Sequence, residues 1–268
     1  MKPAVDSRLA RHREIWEKRP LLREVYYDLY ARITRWLSEV PGPTIEVGGG
    51  SGNLKEYLPS ALSSDVTWCP WLDFVADAAC LPHADASIAN LVFVDVFHHL
   101  PFPLRVLAEV QRVLRPGGRA ILCEPYVSWG SWPVYRFLHP ERTDCGIRPL
   151  EGPPDHPVFP PAGPWSSNQA IPTVIFRRDR ANYTARFPKL PIRHWEALSV
   201  LVYPLSGGFE KPCLLPRFAW PLAWRVERLV SPLARWVGFR CLVVLERLGD
   251  DGAAPTPSRP SGATGRRC

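Results

Sequence analysis

Three histidines stand where they could remove a proton from a substrate. His98 and His99 follow a nearly continuous apolar run, residues 88–96, which is typical of a strand buried on both faces. His139 and Glu141 form a second pair further along the chain. Imidazole suits a general base acting on a hydroxyl, because its pKa lies near neutral pH. We therefore predict His98, His99 and His139 as catalytic candidates, with a hydrogen-bonded structural role as the alternative.

The same side chains could in principle ligate a metal ion. His98, His99, His139 and Glu124 are the candidate ligands, but their spacing matches no specific metal motif. The seven cysteines are scattered without a Cys-x-x-Cys pair, which favours reduced thiols over a disulfide framework. We predict no metal site and a cytoplasmic protein.

A glycine-rich turn is the strongest local feature of the sequence. The run Thr44 to Val47 has the composition of a strand, and Gly48, Gly50 and Gly52 follow at alternate positions before a helical stretch, residues 54–62. Strand, glycine turn and helix are the first unit of a nucleotide-binding α/β sheet. The glycine spacing differs from the Gly-x-Gly-x-x-Gly of dinucleotide sites, which disfavours a nicotinamide-dependent oxidoreductase. The alternative is a purely structural turn that binds no ligand.

An acid should follow this turn at the end of the second strand. Asp65 lies 19 residues after Glu46, where nucleotide-binding folds place the carboxylate that accepts hydrogen bonds from the ribose hydroxyls. Asp73 is the second candidate, because the strand's end is uncertain by several residues.

Four motifs in order resemble the class I S-adenosylmethionine (SAM)-dependent methyltransferases, in particular the type 11 group that includes the ubiquinone and menaquinone biosynthesis enzymes. Glu46-x-Gly-x-Gly-x-Gly resembles their first motif, and Asp77-Ala78 their segment after the third strand. The Asp95 to His99 stretch resembles the end of their fourth strand. Residues 112–119 match their "RVLRPGG" motif almost letter for letter. The resemblance covers about residues 40–125.

The resemblance implies a cofactor and its contacts. S-adenosylmethionine should bind across the ends of the first strands, with Asp77 and Ala78 beside the adenine ring. The implied cofactor-binding residues are Glu46, Gly48, Gly49, Gly50, Asn53, Asp65, Asp77, Ala78 and Asp95.

The implied fold is an α/β, Rossmann-like sheet of about seven strands with helices on both faces. Residues 1–40 should form an N-terminal helical cap, with helices at 8–19 and 21–40. Residues 41–248 should form the methyltransferase domain, with a cofactor half (41–125) and an acceptor half (126–248). Within the acceptor half, residues 192–203 are predicted to form a strand. The Pro/Ser/Gly-rich residues 249–268 are predicted to be a disordered tail.

The composition gives little information about the chemical class of the methyl acceptor. The net charge is +7, and the later part of the chain carries most of the excess arginine. We predict in-line methyl transfer to a small-molecule, lipid or saccharide acceptor, which the basic half suits best if it is anionic. The residues match no RNA-binding module, so a nucleic-acid partner is not predicted. A non-catalytic relative that binds a partner or a membrane surface through residues 214–236 is the alternative.

Overall fold

The computed structural model describes residues 5–249 of the 268-residue chain. The strands within this part form a seven-stranded sheet in the order β3-β2-β1-β4-β5-β7-β6. Only β7 runs antiparallel to its neighbours, so the sheet is mixed and the expected Rossmann-like α/β class is confirmed. The strands are β1 Thr44–Val47, β2 Leu62–Asp65, β3 Phe74–Val75, β4 Ile88–Val94, β5 Leu114–Pro125, β6 Ile192–Leu198 and β7 Arg240–Glu246.

The strand order reverses between β1 and β4, which lie side by side in the middle of the sheet. Their pairing is parallel, with Ile45 opposite Leu91 and Val47 opposite Phe93. All four of these side chains are buried, which explains why both strands are apolar. Crevices outside the carboxyl ends of strands at such a reversal are where ligands bind in open α/β sheets. The glycine turn follows β1 at this edge, and Asp95 follows β4.

Helices cover both faces of the sheet. Their bounds are α1 Ser7–Lys18, α2 Pro20–Thr34, α3 Leu54–Tyr57, α4 Pro103–Val113, α5 Trp132–Phe137, α6 Ile171–Thr173, α7 Arg180–Arg186, α8 Val202–Ser206, α9 Trp220–Val230 and α10 Ala234–Val237. A π-helical turn, Val174–Arg178, joins α6 to α7. On one face α4 and the α6–α7 segment pack against the sheet. On the other face the sheet carries α2, α8 and α9.

The second N-terminal helix shows how the sequence pattern becomes packing. Leu22, Val25, Leu29 and Ile33 recur every three or four residues, and all four are buried. They pack on the sheet beside Ile121 and neighbouring core residues. The helix ends at Thr34 rather than at residue 40, so that part of the expectation is wrong.

Two further expectations differ from the structure. The helix predicted for residues 54–62 is the single turn α3, Leu54–Tyr57, and Pro59 follows its end. The strand predicted for residues 192–203 ends at Leu198, and the helix α8 begins at Val202. Glu227 of α9 explains the change, because its carboxylate accepts hydrogen bonds from the backbone N–H groups of residues 200, 201 and 202.

The division of the chain into a cap, a cofactor half and an acceptor half stays a prediction. Residues 250–268, which make up nearly all of the predicted tail, lie outside the described part of the chain. Within residues 5–249, no helix is both long and apolar enough to cross a bilayer.

Candidate active site

A single cavity of about 660 Å³ opens at the carboxyl ends of β1, β2 and β4. The glycine turn lines it, and so do Leu9 and His12 of α1. All nine residues predicted to contact the cofactor line this cavity, and so do the three predicted catalytic histidines. The sequence motifs therefore converge on one place in the fold.

The turn after β1 needs glycine because the protein itself fills the adjacent space. Gly48 has a φ of +71°, and a Cβ there would collide with the Val96 side chain. A Cβ on Gly49 would collide with Ser63. Gly50, with a φ of +47°, faces more open space. The turn therefore packs closely against the ends of β2 and β4, and the glycine backbone lines the cavity.

Asp65 faces the cavity from the end of β2, and Asp73 does not. The two Asp65 carboxylate oxygens accept hydrogen bonds from the backbone N–H groups of Gly50 at 3.0 Å and Thr67 at 2.8 Å. Burial raises the pKa of this carboxyl despite those bonds. Asp73 instead binds Lys55 at 2.7 Å and lies outside the lining. The structure therefore favours Asp65 over Asp73 as the ribose ligand.

Glu46 is a buried acid at the end of β1. Its Oε2 accepts a hydrogen bond from the Ser63 hydroxyl at 2.6 Å. Burial raises the pKa of Glu46 to about 7, and the Ser63 hydrogen bond only partly offsets that effect. The carboxyl therefore titrates near neutral pH at the edge of the cavity.

Asp77, Ala78 and Asn53 complete the predicted cofactor contacts. Asp77 is exposed, and its Oδ1 accepts a hydrogen bond from the Ala79 backbone N–H at 2.8 Å. This local bond holds the carboxylate at the rim of the cavity beside buried Ala78. Asn53 lines the cavity from the start of α3.

Asp95 is fixed by a buried arginine from the last strand. Its backbone has a φ of +58°, which is uncommon for a residue other than glycine. Arg240, which is fully buried, forms an ion pair with the Asp95 carboxylate, and the Tyr26 hydroxyl donates to the same group at 2.7 Å. Arg240 also donates to the Cys123 carbonyl at 3.0 Å and to the Tyr203 hydroxyl at 3.1 Å. Asp95 is therefore held in place at the cavity wall by groups from α2, α8 and β7.

His98 lies between two carboxylates. Its Nδ1 donates to Glu124 Oε2 at 2.7 Å, because a carboxylate can only accept, and its Nε2 lies 3.5 Å from Glu141 Oε2. Burial disfavours the charged ring, but the two carboxylates raise the pKa of His98 to about 10. Glu124 is itself fully buried and accepts hydrogen bonds from the backbone N–H groups of Val96 and Phe97. It is not part of the cavity lining, so its role is to position His98.

His99 and His139 expose different ring atoms. His99 Nδ1 lies 3.1 Å from the Ser166 carbonyl, to which it can only donate, so the neutral ring keeps a lone pair on Nε2. Burial and the neighbouring His98 lower the pKa of His99 to about 4. His139 Nδ1 instead accepts the Glu141 backbone N–H at 3.3 Å, which leaves the proton of the neutral ring on Nε2. The two histidines therefore present an acceptor and a donor, respectively.

Several residues of the cavity were not predicted from the sequence. Gln169 donates to Glu141 through its side-chain amide, and Tyr26, Trp165 and Phe209 line the cavity from elements distant in the chain. The apolar pattern of α2 indicated that Tyr26 is buried, but gave no sign that its hydroxyl reaches Asp95. Trp71 lies outside the lining and donates to the Gly50 carbonyl at 2.8 Å.

Comparison with known proteins agrees with this geometry. Residues 45–122 match the family model described as a methyltransferase domain, from β1 to the middle of β5. Residues 45–122 therefore resemble a methyltransferase domain. The match confirms the resemblance found in the motifs and supports S-adenosylmethionine as the cofactor.

A sequence relative is also a methyltransferase. Methyltransferase GfsG of Streptomyces halstedii is 32% identical over 89 residues, which are 33% of this chain and 32% of the relative. The chain thus spans about a third of the length of that relative. Among solved structures, a SAM-dependent methyltransferase from Archaeoglobus fulgidus aligns with a TM-score of 0.49 at 11% identity, covering 84% of this chain and 94% of that one. A geranyl diphosphate C-methyltransferase from Streptomyces coelicolor aligns with a TM-score of 0.44 at 10% identity, covering 82% and 79%.

Proposed function

We propose that the protein transfers a methyl group from S-adenosylmethionine to a small-molecule, lipid or saccharide acceptor held in the cavity. The observation that carries this proposal is the convergence of all nine predicted cofactor residues and three histidines on one cavity. Its volume of about 660 Å³ is within the usual range for small-molecule sites.

The cofactor half of the cavity has the polar groups that an adenosyl ligand needs. Asp65 would accept from the ribose hydroxyls, since each of its oxygens has a lone pair beyond the one used by the backbone. Asp77 would accept from the adenine amino group, with Ala78 against the ring. The glycine turn would lie along the methionine part, with buried Glu46 behind it.

The reaction itself needs positioning and exclusion of water. The acceptor atom attacks the methyl carbon in line, the carbon–sulfur bond breaks, and its electron pair remains on sulfur. Leu9 and His12 of α1 also line the cavity and would help to shield this step from solvent.

A hydroxyl acceptor must also lose its proton. His99 presents an acceptor lone pair on Nε2, whereas the neutral His139 ring presents a donor. His99 Nε2 would therefore accept the proton of a hydroxyl substrate, and His139 would donate a hydrogen bond to the substrate oxygen.

Calorimetry with SAM and S-adenosylhomocysteine tests the cofactor assignment. We expect one molecule to bind per chain with a micromolar or lower dissociation constant. A folded protein that binds neither compound would overturn the proposal. Transfer of labelled methyl from SAM into lipid, saccharide and small-molecule fractions then identifies the class of acceptor.

A second candidate function is binding to an anionic membrane surface, with or without catalysis. One face of α9 and the turn before it exposes Phe218, Leu222 and Leu229, whose exposed fractions are 87%, 63% and 78%. The exposed charged residues between them, Arg225 and Arg228, are cationic. The helix's acid, Glu227, points inward and caps α8, as described above. Apolar and cationic side chains on one exposed face are typical of helices that lie in a lipid interface.

Two tryptophans of this stretch are hydrogen-bonded within the protein rather than free to enter a membrane. Trp224 donates to Glu24 at 3.2 Å, and Trp220 donates to the Leu215 carbonyl at 3.2 Å. Both rings are half-buried against the core that contains α2. A membrane contact would therefore depend on Phe218, Leu222 and Leu229 rather than on the tryptophans.

A further inference from the structure

His98, His99 and Glu141 bring three ligand atoms together in the cavity wall. Among the described residues, their imidazole nitrogens and a carboxylate oxygen all lie within 4.8 Å of one another. His98 Nε2 is 3.5 Å from Glu141 Oε2, and His99 Nε2 is 3.8 Å from Glu141 Oε1. Two histidines and one carboxylate are a frequent ligand set for divalent transition metals, including catalytic zinc.

The outer nitrogens of both rings are anchored in the way that metal ligands are. His98 Nδ1 binds the Glu124 carboxylate at 2.7 Å, and His99 Nδ1 binds the Ser166 carbonyl at 3.1 Å. Such bonds fix the orientation of each ring, and the Nε2 atom of each ring lies near the Glu141 carboxylate. Nothing in a general-base mechanism requires two adjacent histidines to be oriented in the same way.

The distances within the cluster suit a shared ion better than direct hydrogen bonds. The separations of 3.5 and 3.8 Å exceed the roughly 2.7–3.2 Å of a hydrogen bond. Ligand atoms about 2.0–2.1 Å from a tetrahedral zinc ion lie about 3.4 Å apart.

The carboxylate is oriented by a buried amide. The Gln169 side chain donates to Glu141 Oε2, and its own Oε1 is buried without a hydrogen-bond partner. Hydrogen bonding to a ligating carboxylate is a common feature of metal sites. A water molecule on the ion could donate to the unpartnered Gln169 oxygen, which would otherwise carry an unfavourable free energy of burial.

We propose that His98, His99 and Glu141 bind a divalent transition-metal ion in the wall of the cavity. This inference rests on the proposed methyl transfer and specifies its acceptor: a compound that coordinates the ion through a hydroxyl oxygen. Coordination makes that hydroxyl more acidic, so its proton leaves to solvent. The oxygen then bonds to the methyl carbon as the carbon–sulfur bond breaks and the electron pair stays on sulfur. Any proton on His98 Nε2 is likewise released when the ion binds.

The test measures metal binding without measuring activity. Full-length protein purified without a histidine tag is stripped of metal, then titrated with Zn²⁺ in equilibrium dialysis and with Co²⁺ in visible absorption. We expect one ion per chain, and Co²⁺ bands of a site with nitrogen and oxygen ligands. His99→Ala and Glu141→Gln should each weaken Zn²⁺ binding at least about 10- to 100-fold.

A matched control separates this site from other histidines. His194, on β6, stacks against Trp36 and lies outside the cavity. His194→Ala should bind Zn²⁺ with unchanged affinity. Circular dichroism melting shows that each variant is folded, and a second pair, His99→Asn and Glu141→Ala, replaces any variant that is not. No Zn²⁺ bound by the wild type, or equal affinity in the site variants, would overturn the proposal.

Calorimetry with S-adenosylhomocysteine on the same samples keeps this inference distinct from the proposed function. Cofactor binding without a specific Zn²⁺ site would refute the metal ion and leave methyl transfer standing. A specific Zn²⁺ site in a protein that binds no cofactor would support the ion and refute methyl transfer.

Discussion

At the residue scale, two aspartates close in sequence have opposite environments. Asp65 faces the cavity, whereas Asp73 is paired with Lys55 outside it. Asp65→Ala should weaken S-adenosylhomocysteine binding about 10- to 1,000-fold, because hydrogen bonds to a charged group contribute about 1.5–3 kcal/mol each. Calorimetry measures the change, and Asp73→Ala is the matched control with nearly unchanged affinity. Equal losses in both variants would refute the ribose assignment.

A second prediction at this scale concerns the buried acid Glu46. Its pKa is raised from 4.5 to about 7, so the folded state keeps a proton that the unfolded state has already lost. The resulting contribution to stability is fully present below pH 4.5 and is lost as pH rises through 7. Glu46→Gln cannot ionise, so above pH 7 it should be more stable than the wild type by up to about 3 kcal/mol.

Urea unfolding at several pH values checks the Glu46 prediction. The difference between Glu46→Gln and the wild type should grow between pH 5 and pH 8. The exposed acid Glu39 provides the control, since Glu39→Gln should show no such growth. A difference that is constant with pH would show that Glu46 ionises at its ordinary pKa.

At the scale of elements, one strand stabilises the end of another. Arg240, the first residue of β7, holds Asp95 just after β4. Arg240→Met should lower the free energy of unfolding by about 3 kcal/mol, since removing one partner of a buried ion pair leaves the other uncompensated. The exposed Arg235 of α10 is the control, and Arg235→Met should change stability by less than about 0.5 kcal/mol. Urea denaturation compares the two, and similar losses would contradict a specific role for Arg240.

The elements also show what the sequence could predict. The apolar run of β4 and the three-and-four spacing in α2 are local patterns, and both elements were predicted. The change from β6 to α8 was missed because Glu227, nearly thirty residues later, supplies the cap that starts α8. A local pattern cannot contain a partner that the fold brings in from elsewhere.

At the scale of the whole molecule, some parts of the site follow from local sequence patterns, whereas others depend on partners that the fold brings together. The convergence of the nine candidate cofactor residues on one cavity could be predicted because most of them lie at or just beyond a strand end, and parallel strands place their carboxyl ends at one edge of the sheet. The assembly of Glu141 and Gln169 with His98 depends on a long irregular segment between α5 and α6, whose path no periodicity predicts. Glu124 was considered a metal ligand; the structure shows that it positions His98 instead.

The distribution of exposed apolar and cationic side chains leads to a prediction about membranes. If the face bearing Phe218 and Leu229 enters a lipid interface, the protein should float with anionic phosphatidylglycerol vesicles and not with neutral ones. Phe218→Ser with Leu229→Ser should reduce vesicle binding at least about 10-fold, because each buried apolar side chain contributes about 1.5–3 kcal/mol. Val75→Ser, at an apolar residue on β3 that is 50% exposed, should leave binding unchanged. Equal binding by the two variants would refute this surface.

The position of Arg240 also has a consequence for synthesis on the ribosome. The counterion of Asp95 lies 145 residues downstream of it, at the start of the last strand. A nascent chain released before that point contains the whole glycine turn and both acids at the ends of β1 and β2. It lacks Arg240, however, and so cannot hold Asp95 in place at the cavity wall. Binding of S-adenosylmethionine should therefore begin only late in translation. Stalled chains that end before residue 240 should not bind it.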